Sequence, residues 1–136
     1  MRTQFRRMLA SVGLGALMAG GAVTIGAAPA SAAWSDCTYD YACMWQSTDY
    51  PYSPNASFQY NIRQLTASNN LVNSVVNRGA TAKARFFDGF DFTGAYFTLD
   101  REGNLSGAQW RDPYLANGTD STTTPWSNRI SSGKFV

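Results

Sequence analysis

The sequence contains no histidine and only two cysteines, Cys37 and Cys43. Without histidine the usual general base at neutral pH is missing, which excludes the Ser-His-Asp and Cys-His arrangements of nucleophilic catalysis. Carboxylate pairs such as Asp88 with Asp91 could support glycoside hydrolysis. They lie in predicted turns beside glycine, where acidic residues are ordinary. We therefore predict that the protein is not an enzyme.

Charged residues are absent from the stretch 8–28, which follows three arginines and is rich in Ala, Gly, Leu and Val. Ala30-Ser31-Ala32 then fits a small-x-small cleavage site. This pattern predicts a secretory signal peptide over residues 1–32 and a secreted mature protein. A retained membrane anchor is the alternative interpretation, because the run is nearly long enough to span a bilayer. The arginine pair leaves both general and twin-arginine export open.

An excess of basic charge is also absent from residues 33–136. The whole chain carries a formal charge of +2, but eight Lys and Arg and nine Asp and Glu follow residue 32, which leaves −1. Without a Lys/Arg cluster, we expect no nucleic-acid partner and no membrane partner after signal cleavage. The length suits one domain, which we expect to be monomeric.

The two cysteines lie six positions apart. In an exported protein such a pair favours a disulfide, which would hold the N-terminal segment against the first hairpin. A closed loop of about seven residues gives about 2 kcal/mol on the chain-entropy model. A metal or redox site is the alternative, although the absence of histidine makes the usual zinc ligand sets incomplete.

Aromatic residues are abundant after the predicted signal, and long helical periodicity is absent, so we predict an all-β fold. Ser57–Ile62 alternates polar with aromatic or aliphatic residues, as one half-buried strand should. Asp88-Gly89 is a strong hairpin signal between two aromatic runs. About eight short antiparallel strands are expected, in two motifs covering about 37–80 and 81–136.

Two segments repeat one pattern, Asn69–Asn77 and Ser127–Phe135. In both, an Asn is followed by an aliphatic residue, a polar residue and a Ser; short polar side chains of this kind close turns well. Upstream, Trp45 and Tyr52 stand at the same spacing as Phe87 and Gly94. The repeated order predicts two versions of one β motif, paired as Greek keys in a sandwich.

The second copy is longer than the first. From Trp45 to Ser74 is 29 positions, whereas from Phe87 to Ser132 is 45. The extra residues fall between residues 106 and 125. We predict a long loop there, either a binding loop or a plain solvated connection.

These residues resemble the βγ-crystallin fold, whose motifs pair an aromatic-x₆-Gly hairpin with an Asn/Asp-Asn/Asp-x-x-Ser/Thr-Ser calcium loop. More closely, residues 37–136 are similar to secreted bacterial peptidase inhibitors of the metalloproteinase-inhibitor type, built on one such domain. The resemblance rests on the signal peptide, the N-terminal Cys pair running into an aromatic strand, and the segments Asn70–Asn77 and Asn128–Ser132.

The resemblance implies that the protein inhibits an extracellular peptidase through a surface loop of the second motif, at about Asp88 to Gly94. The family's metalloproteinase inhibitors hold this loop with a disulfide, and no Cys is present there in this sequence. The loop around residues 110–115 is the second candidate. The candidate contact residues are Gly89, Phe90, Asp91, Phe92, Trp110, Tyr114 and Leu115.

The alternative function is that of a calcium-stabilised structural or stress module, since calcium takes six to eight oxygen ligands from flexible loops. The candidate ligands of a weak calcium site are Asn69, Asn70, Asn73, Asn128 and Ser131. Each loop departs from the pattern once, at Asn73 and at Ser127. Backbone capping by the same side chains needs no metal. A third hypothesis, carbohydrate or cell-surface binding, depends on exposed Trp110 and Trp126.

Overall fold

The computed structural model describes residues 33–119 and 122–136, and the predicted signal peptide lies outside these ranges. Eight short strands form two four-stranded antiparallel sheets, which confirms the all-β prediction. The strands are β1 (Ala42–Trp45), β2 (Ala56–Phe58), β3 (Asn61–Ile62), β4 (Ser74–Asn77), β5 (Ala84–Phe87), β6 (Tyr96–Leu99), β7 (Arg111–Asp112) and β8 (Ser132–Phe135). Short 3₁₀ turns cover Trp34–Asp36, Phe90–Phe92 and Leu115–Asn117. Within the two described ranges, no helix has the length and apolar character that a membrane crossing requires.

The two sheets exchange one strand each. The first sheet has the order β2-β1-β4-β7, and the second, taken from its other edge, has the matching order β6-β5-β8-β3. In the first sheet Val75 of β4 pairs with Asp112 of β7, and in the second Ile62 of β3 pairs with Gly133 of β8. Each half of the chain therefore builds three strands of one sheet and supplies the edge strand of the other, as in two interlocked Greek keys.

The prediction of one strand over Ser57–Ile62 is wrong. β2 ends at Phe58 and pairs with β1, whereas β3 pairs with β8 in the other sheet. Between them the chain crosses from one sheet to the other, with Phe58 buried and Tyr60 75% exposed. Alternating polarity reports which face a residue takes, and it carries no information about which strand is the neighbour.

The main core lies between the sheets, because alternate residues of each strand point to one face. In β1, Ala42 and Met44 face this core; in β5, Ala84 and Phe86 do. Phe86 stacks on Phe97 with ring centroids 5.1 Å apart. The buried core residues are Ala42, Met44, Phe58, Leu65, Val72, Val75, Ala84, Phe86, Phe97, Leu99, Leu115, Trp126 and Ile130.

The outer face of the first sheet carries a second apolar cluster under the N-terminal segment. Cys43 and Trp45 of β1 point outward, yet both are at most 1% exposed. The predicted disulfide is present: Cys37 bonds Cys43 with their Cα atoms 5.8 Å apart, and it holds residues 33–41 over this face. Burial in the same cluster raises the pKa of Tyr50 well above its ordinary value.

Candidate functional site

The two repeated Asn/Ser segments form matching corners, the first corner at residues 69–73 and the second corner at residues 127–131. Asn70 and Asn128 have left-handed backbone angles, with φ of 54° and 58°, which Asn tolerates better than most residues. The aliphatic residue two positions later is fully buried in both corners, as Val72 and Ile130. The amide of Asn70 donates to the Ile130 carbonyl at 3.0 Å, and that of Asn128 to the Val72 carbonyl at 2.9 Å.

The serine after each corner fixes the corner to the hairpin loop of its own half. Ser74 Oγ donates to the carbonyl oxygen of Ser47 at 2.7 Å, and Ser132 Oγ donates to that of Gly89 at 2.6 Å. Both serines are completely buried, so each hydroxyl needs a hydrogen-bond partner within the protein and finds it in a loop carbonyl. The repeated Ser is therefore a structural tie, which explains its place in both segments.

The side-chain amide of Asn73 lies among three oxygens at the first corner. The side-chain nitrogen of Asn73 lies 2.8 Å from the carbonyl oxygen of Gln46, 3.1 Å from that of Leu71 and 3.1 Å from Asn128 Oδ1. Calcium binds oxygen ligands, and here an amide N–H₂ donor already sits among the three oxygens that would face a cation. Through these hydrogen bonds the Asn73 side chain links the first corner to Gln46 and to Asn128 of the second corner.

The second corner differs because a hydroxyl takes the place of the amide. Ser131 Oγ donates to Asn70 Oδ1 at 3.1 Å, and this hydroxyl oxygen could also serve as a ligand. The neighbouring Asn69 has a buried Oδ1 without a hydrogen-bond partner among the described residues. Over the same part of the chain, no three His, Cys, Asp or Glu side chains come together. The neutral side-chain oxygens of Asn69 and Asn70 in the first corner and of Ser131 in the second are the candidate donor set.

The predicted inhibitory hairpin is folded back onto the second sheet. The Asp91 amide donates to the Arg63 carbonyl at 2.8 Å, and the two side chains form a 2.7 Å ion pair. Phe92 is half-buried against Phe87, with ring centroids 5.9 Å apart. Only Phe90, which is 42% exposed, presents an apolar side chain to solvent, so the hairpin offers one apolar contact rather than two.

The segment between residues 106 and 125 is more structured than the predicted long loop. It contains β7, which forms the edge strand of the first sheet; the other three strands of that sheet come from the first half of the chain. Leu115 is 0% exposed in the main core and cannot enter a partner's pocket, so its assignment as a contact residue is wrong. Tyr114, by contrast, is 49% exposed.

The two tryptophans proposed for carbohydrate binding are not free. Trp126 is 2% exposed in the core. Trp110 is partly buried and packs edge-on against Trp34 at 5.0 Å between ring centroids. Arg111 lies 4.9 Å from the Trp110 ring centroid and covers it further. These contacts remove the observation on which the third hypothesis depends.

Sequence reasoning missed the most exposed apolar residue of the described chain. Leu105 has a relative exposure of 102% and lies between β6 and β7, in a short loop ordered by Asn104. The predicted long loop began at Ser106, so it did not include Leu105. A single leucine amid four turn formers, Gly103, Asn104, Ser106 and Gly107, is the signal that could have found it.

The fold defines the class of the protein, a single βγ-crystallin-like domain. A βγ-crystallin from Ciona intestinalis superposes with a TM-score of 0.53 at 13% identity, over 71% of this chain and 99% of that one. A structure from work on the evolution of the eye lens βγ-crystallin domain fold gives 0.54 at 16% identity, over 73% and 87%. An archaeal βγ-crystallin gives 0.51 at 12% identity, over 71% and 96%.

The family is narrower than the fold. The model of peptidase inhibitor family I36 matches residues 30–99, about half of the chain. No curated protein matches the chain. The chain therefore belongs to peptidase inhibitor family I36, which confirms the resemblance to peptidase inhibitors and the prediction that it is not an enzyme.

Proposed function

We propose that this protein is secreted and blocks an extracellular metallo- or serine-type peptidase by placing a surface loop in its substrate cleft. Membership in peptidase inhibitor family I36 is the observation that carries the proposal. The Cys37–Cys43 disulfide supports an oxidising, extracellular compartment. The sandwich supports the mechanism, because loops held by a rigid scaffold are where binding residues usually lie.

A loop that is already ordered loses less conformational entropy when it binds. Because it is rigid, it also resists the change in backbone conformation that cleavage by the peptidase would require. In this chain hydrogen bonds and ion pairs order the loops, in place of a second disulfide. Phe90 and Tyr114 remain accessible to a specificity pocket, so both stay candidates for contact. Both lie near the corners. The Leu115 amide, next to Tyr114, donates to the Asn73 carbonyl of the first corner, and Ser132, which follows the second corner, donates to the Gly89 carbonyl next to Phe90.

The test is a titration of two peptidases, one thermolysin-like metallopeptidase and one subtilisin-like serine peptidase. We expect the protein to slow at least one of them with a stoichiometric end point, because a folded inhibitor occupies one active site per molecule. A reduced and alkylated sample is the control and should be inactive or cleaved. Unchanged rates for both enzymes at micromolar excess of the protein would argue strongly against the proposal.

A weak calcium site between the two corners, where Ser131 meets Asn70, is the second candidate function, favoured by the unpartnered buried oxygen of Asn69. Asn69, Asn70 and Ser131 would supply oxygens, and calcium would add stability by binding the folded state. Because these ligands carry no charge, we place the affinity in the weak class of extracellular modules, with a Kd of about 10⁻³ M.

Calcium at 10 mM is then expected to add about 1.4 kcal/mol and to raise the Tm by about 5 °C or more. S131A should abolish this rise because it removes one oxygen from the second corner. N73A is the matched control, because it removes an amide that is not one of the three proposed ligands, and it should keep the rise, although both variants should melt earlier than wild type without calcium. Differential scanning calorimetry measures the Tm of wild type and both variants in 10 mM calcium and in chelator. A wild-type Tm insensitive to calcium, or a rise that survives in S131A, would exclude the site.

A further inference from the structure

The loop at residues 101–108, here called the Leu105 loop, presents one apolar side chain entirely to solvent. Leu105 is 102% exposed, against 42% for Phe90 and 49% for Tyr114. Singly exposed apolar residues are common on protein surfaces, so exposure alone says little. What distinguishes Leu105 is the amount of structure that holds its loop in place.

One side chain orders the loop from within. Asn104 Nδ2 donates to the carbonyl oxygens of Arg101 and Ala108, both at 2.9 Å. Asn104 Oδ1 accepts from Ser106 Oγ at 2.8 Å and from the Ala108 amide at 3.1 Å. Two donors and two lone pairs are the full capacity of an amide side chain. Because the loop is already ordered, it would lose little conformational entropy on binding a partner.

The base of the loop is clamped to the sandwich. The amide of Asp100 donates to the Gln109 carbonyl at 2.9 Å and so closes the loop across its two ends. The Glu102 amide donates to the Asn77 carbonyl at 3.0 Å, and the Glu102 side chain forms a 2.8 Å ion pair with Arg78. A backbone hydrogen bond from Arg101 also lowers the pKa of Asp100.

The backbone around Leu105 is turned rather than extended. Residues 102–103 and 105–106 lie in two consecutive turns, with Gly103 and Gly107 at φ of 70° and 71°. Nothing lies within 4 Å of where a Cβ would stand at either glycine, so glycine serves the backbone angle and not the space. An extended peptide can lie along a cleft as an added strand, whereas this turn can insert only its tip.

The Leu105 loop lies at the end of β4 opposite to the two corners, since it contacts Asn77 while Ser74 follows the first corner. It is thus separate from the surface that carries Tyr114. It also follows Leu99, the last residue that the family model matches. A partner of this loop must provide a concave apolar pocket, because the loop is convex and Leu105 is its only apolar projection.

We infer that the Leu105 loop is the peptidase-contacting loop and that Leu105 plugs a primary specificity pocket suited to a bulky aliphatic side chain. The inference rests on the proposed function. Because the backbone around Leu105 is turned and not extended, Leu105 fills the pocket without placing its peptide bond for cleavage, so the Leu105–Ser106 bond stays intact in the complex. Asn104 is a positioning residue that acts only through the conformation of the loop.

The experiment measures the Ki of the exported protein and its variants against the thermolysin-like and subtilisin-like peptidases, both of which have apolar pockets. L105A is expected to raise Ki about 10- to 100-fold and L105D more, because a central apolar anchor carries a large share of binding energy. Y60A is the matched control, because Tyr60 is 75% exposed at the crossing between β2 and β3, and it should stay within about threefold of wild type. F90A and Y114A test the two other candidate contacts. N104A should raise Ki about tenfold and make the loop cleavable, which electrophoresis of the mixture would show.

Because Leu105 contacts solvent on all sides, L105D should melt within about 2 °C of wild type, so a lost inhibition cannot be blamed on folding. If wild type inhibits and L105D inhibits equally well, the Leu105 assignment is overturned while the proposed function stands. If F90A or Y114A loses inhibition and L105D does not, the contact lies near the two corners and the Leu105 assignment is overturned. If wild type inhibits neither enzyme, the proposed function and the Leu105 assignment both fail.

Discussion

Replacing Phe86 with alanine is expected to lower the free energy of unfolding by about 3–5 kcal/mol, the usual cost of a buried Phe→Ala cavity. Phe86 is 0% exposed and lies between two other rings. It stacks on Phe97 at 5.1 Å and meets Phe58 edge-on at 5.9 Å between centroids. Since the three rings come from β2, β5 and β6, the substitution weakens contact between the sheets as well as within one.

Urea denaturation of the wild type and F86A measures this loss. F90A is the matched control, because Phe90 is a partly exposed ring one residue after Gly89 in the hairpin that follows the same strand. Its cost should stay below about 1 kcal/mol, since only part of its surface is buried. Equal losses for the two variants would mean that the inner faces of the sheets are not where the stability of this domain is concentrated.

Asn77→Ala is expected to destabilise the protein by about 3–5 kcal/mol, because it leaves several buried backbone groups unpaired. Asn77 ends β4 and is fully buried. Its Oδ1 accepts from the Gly79 amide at 2.8 Å, and its Nδ2 donates to the carbonyls of Ala82 and Leu99 at 3.1 and 3.3 Å. One side chain thus holds the turn that leads from the first half of the chain into the second.

Thermal melting would register the Asn77 loss as a fall in Tm of about 15 °C or more for a domain of this size. N61A provides the matched change at an exposed position in the edge strand β3, where the effect should stay within about 0.5 kcal/mol. A small loss at Asn77 would show that water or a relaxed turn satisfies the three groups. It would also remove Asn77 as the reason for the rigid link between the halves.

Local patterns were enough to predict the class of fold and the two corners. Asn70 and Asn128 take the left-handed angles that short amide side chains permit, and a buried aliphatic residue follows each. These features depend on residues within five positions of one another. Short stretches of sequence therefore determine them, which is why the repeat could be found without coordinates.

The strand exchange and the role of Asn77 could not be predicted, because both depend on contacts between distant residues. β3 and β7 are two residues long, too short for any periodicity. Leu115 was assigned to an exposed loop because it lies in the extra segment of the second copy. In the structure this segment forms β7, and Leu115 follows β7 into the core. Leu105 was overlooked because a single apolar residue in a turn-rich segment gives no periodic signal.

The position of β8 governs when this fold can be completed. β8 is the last strand of the chain, yet it lies inside the second sheet and pairs with both β3 and β5. Until β8 has joined the second sheet, β3 has no partner in that sheet and β5 has one open edge, because the residues that pair with β3 lie about 70 positions further along the chain. Detachment of β8 would therefore expose strand edges that can pair with a second molecule, so the docking of this one strand protects the domain against edge-to-edge aggregation.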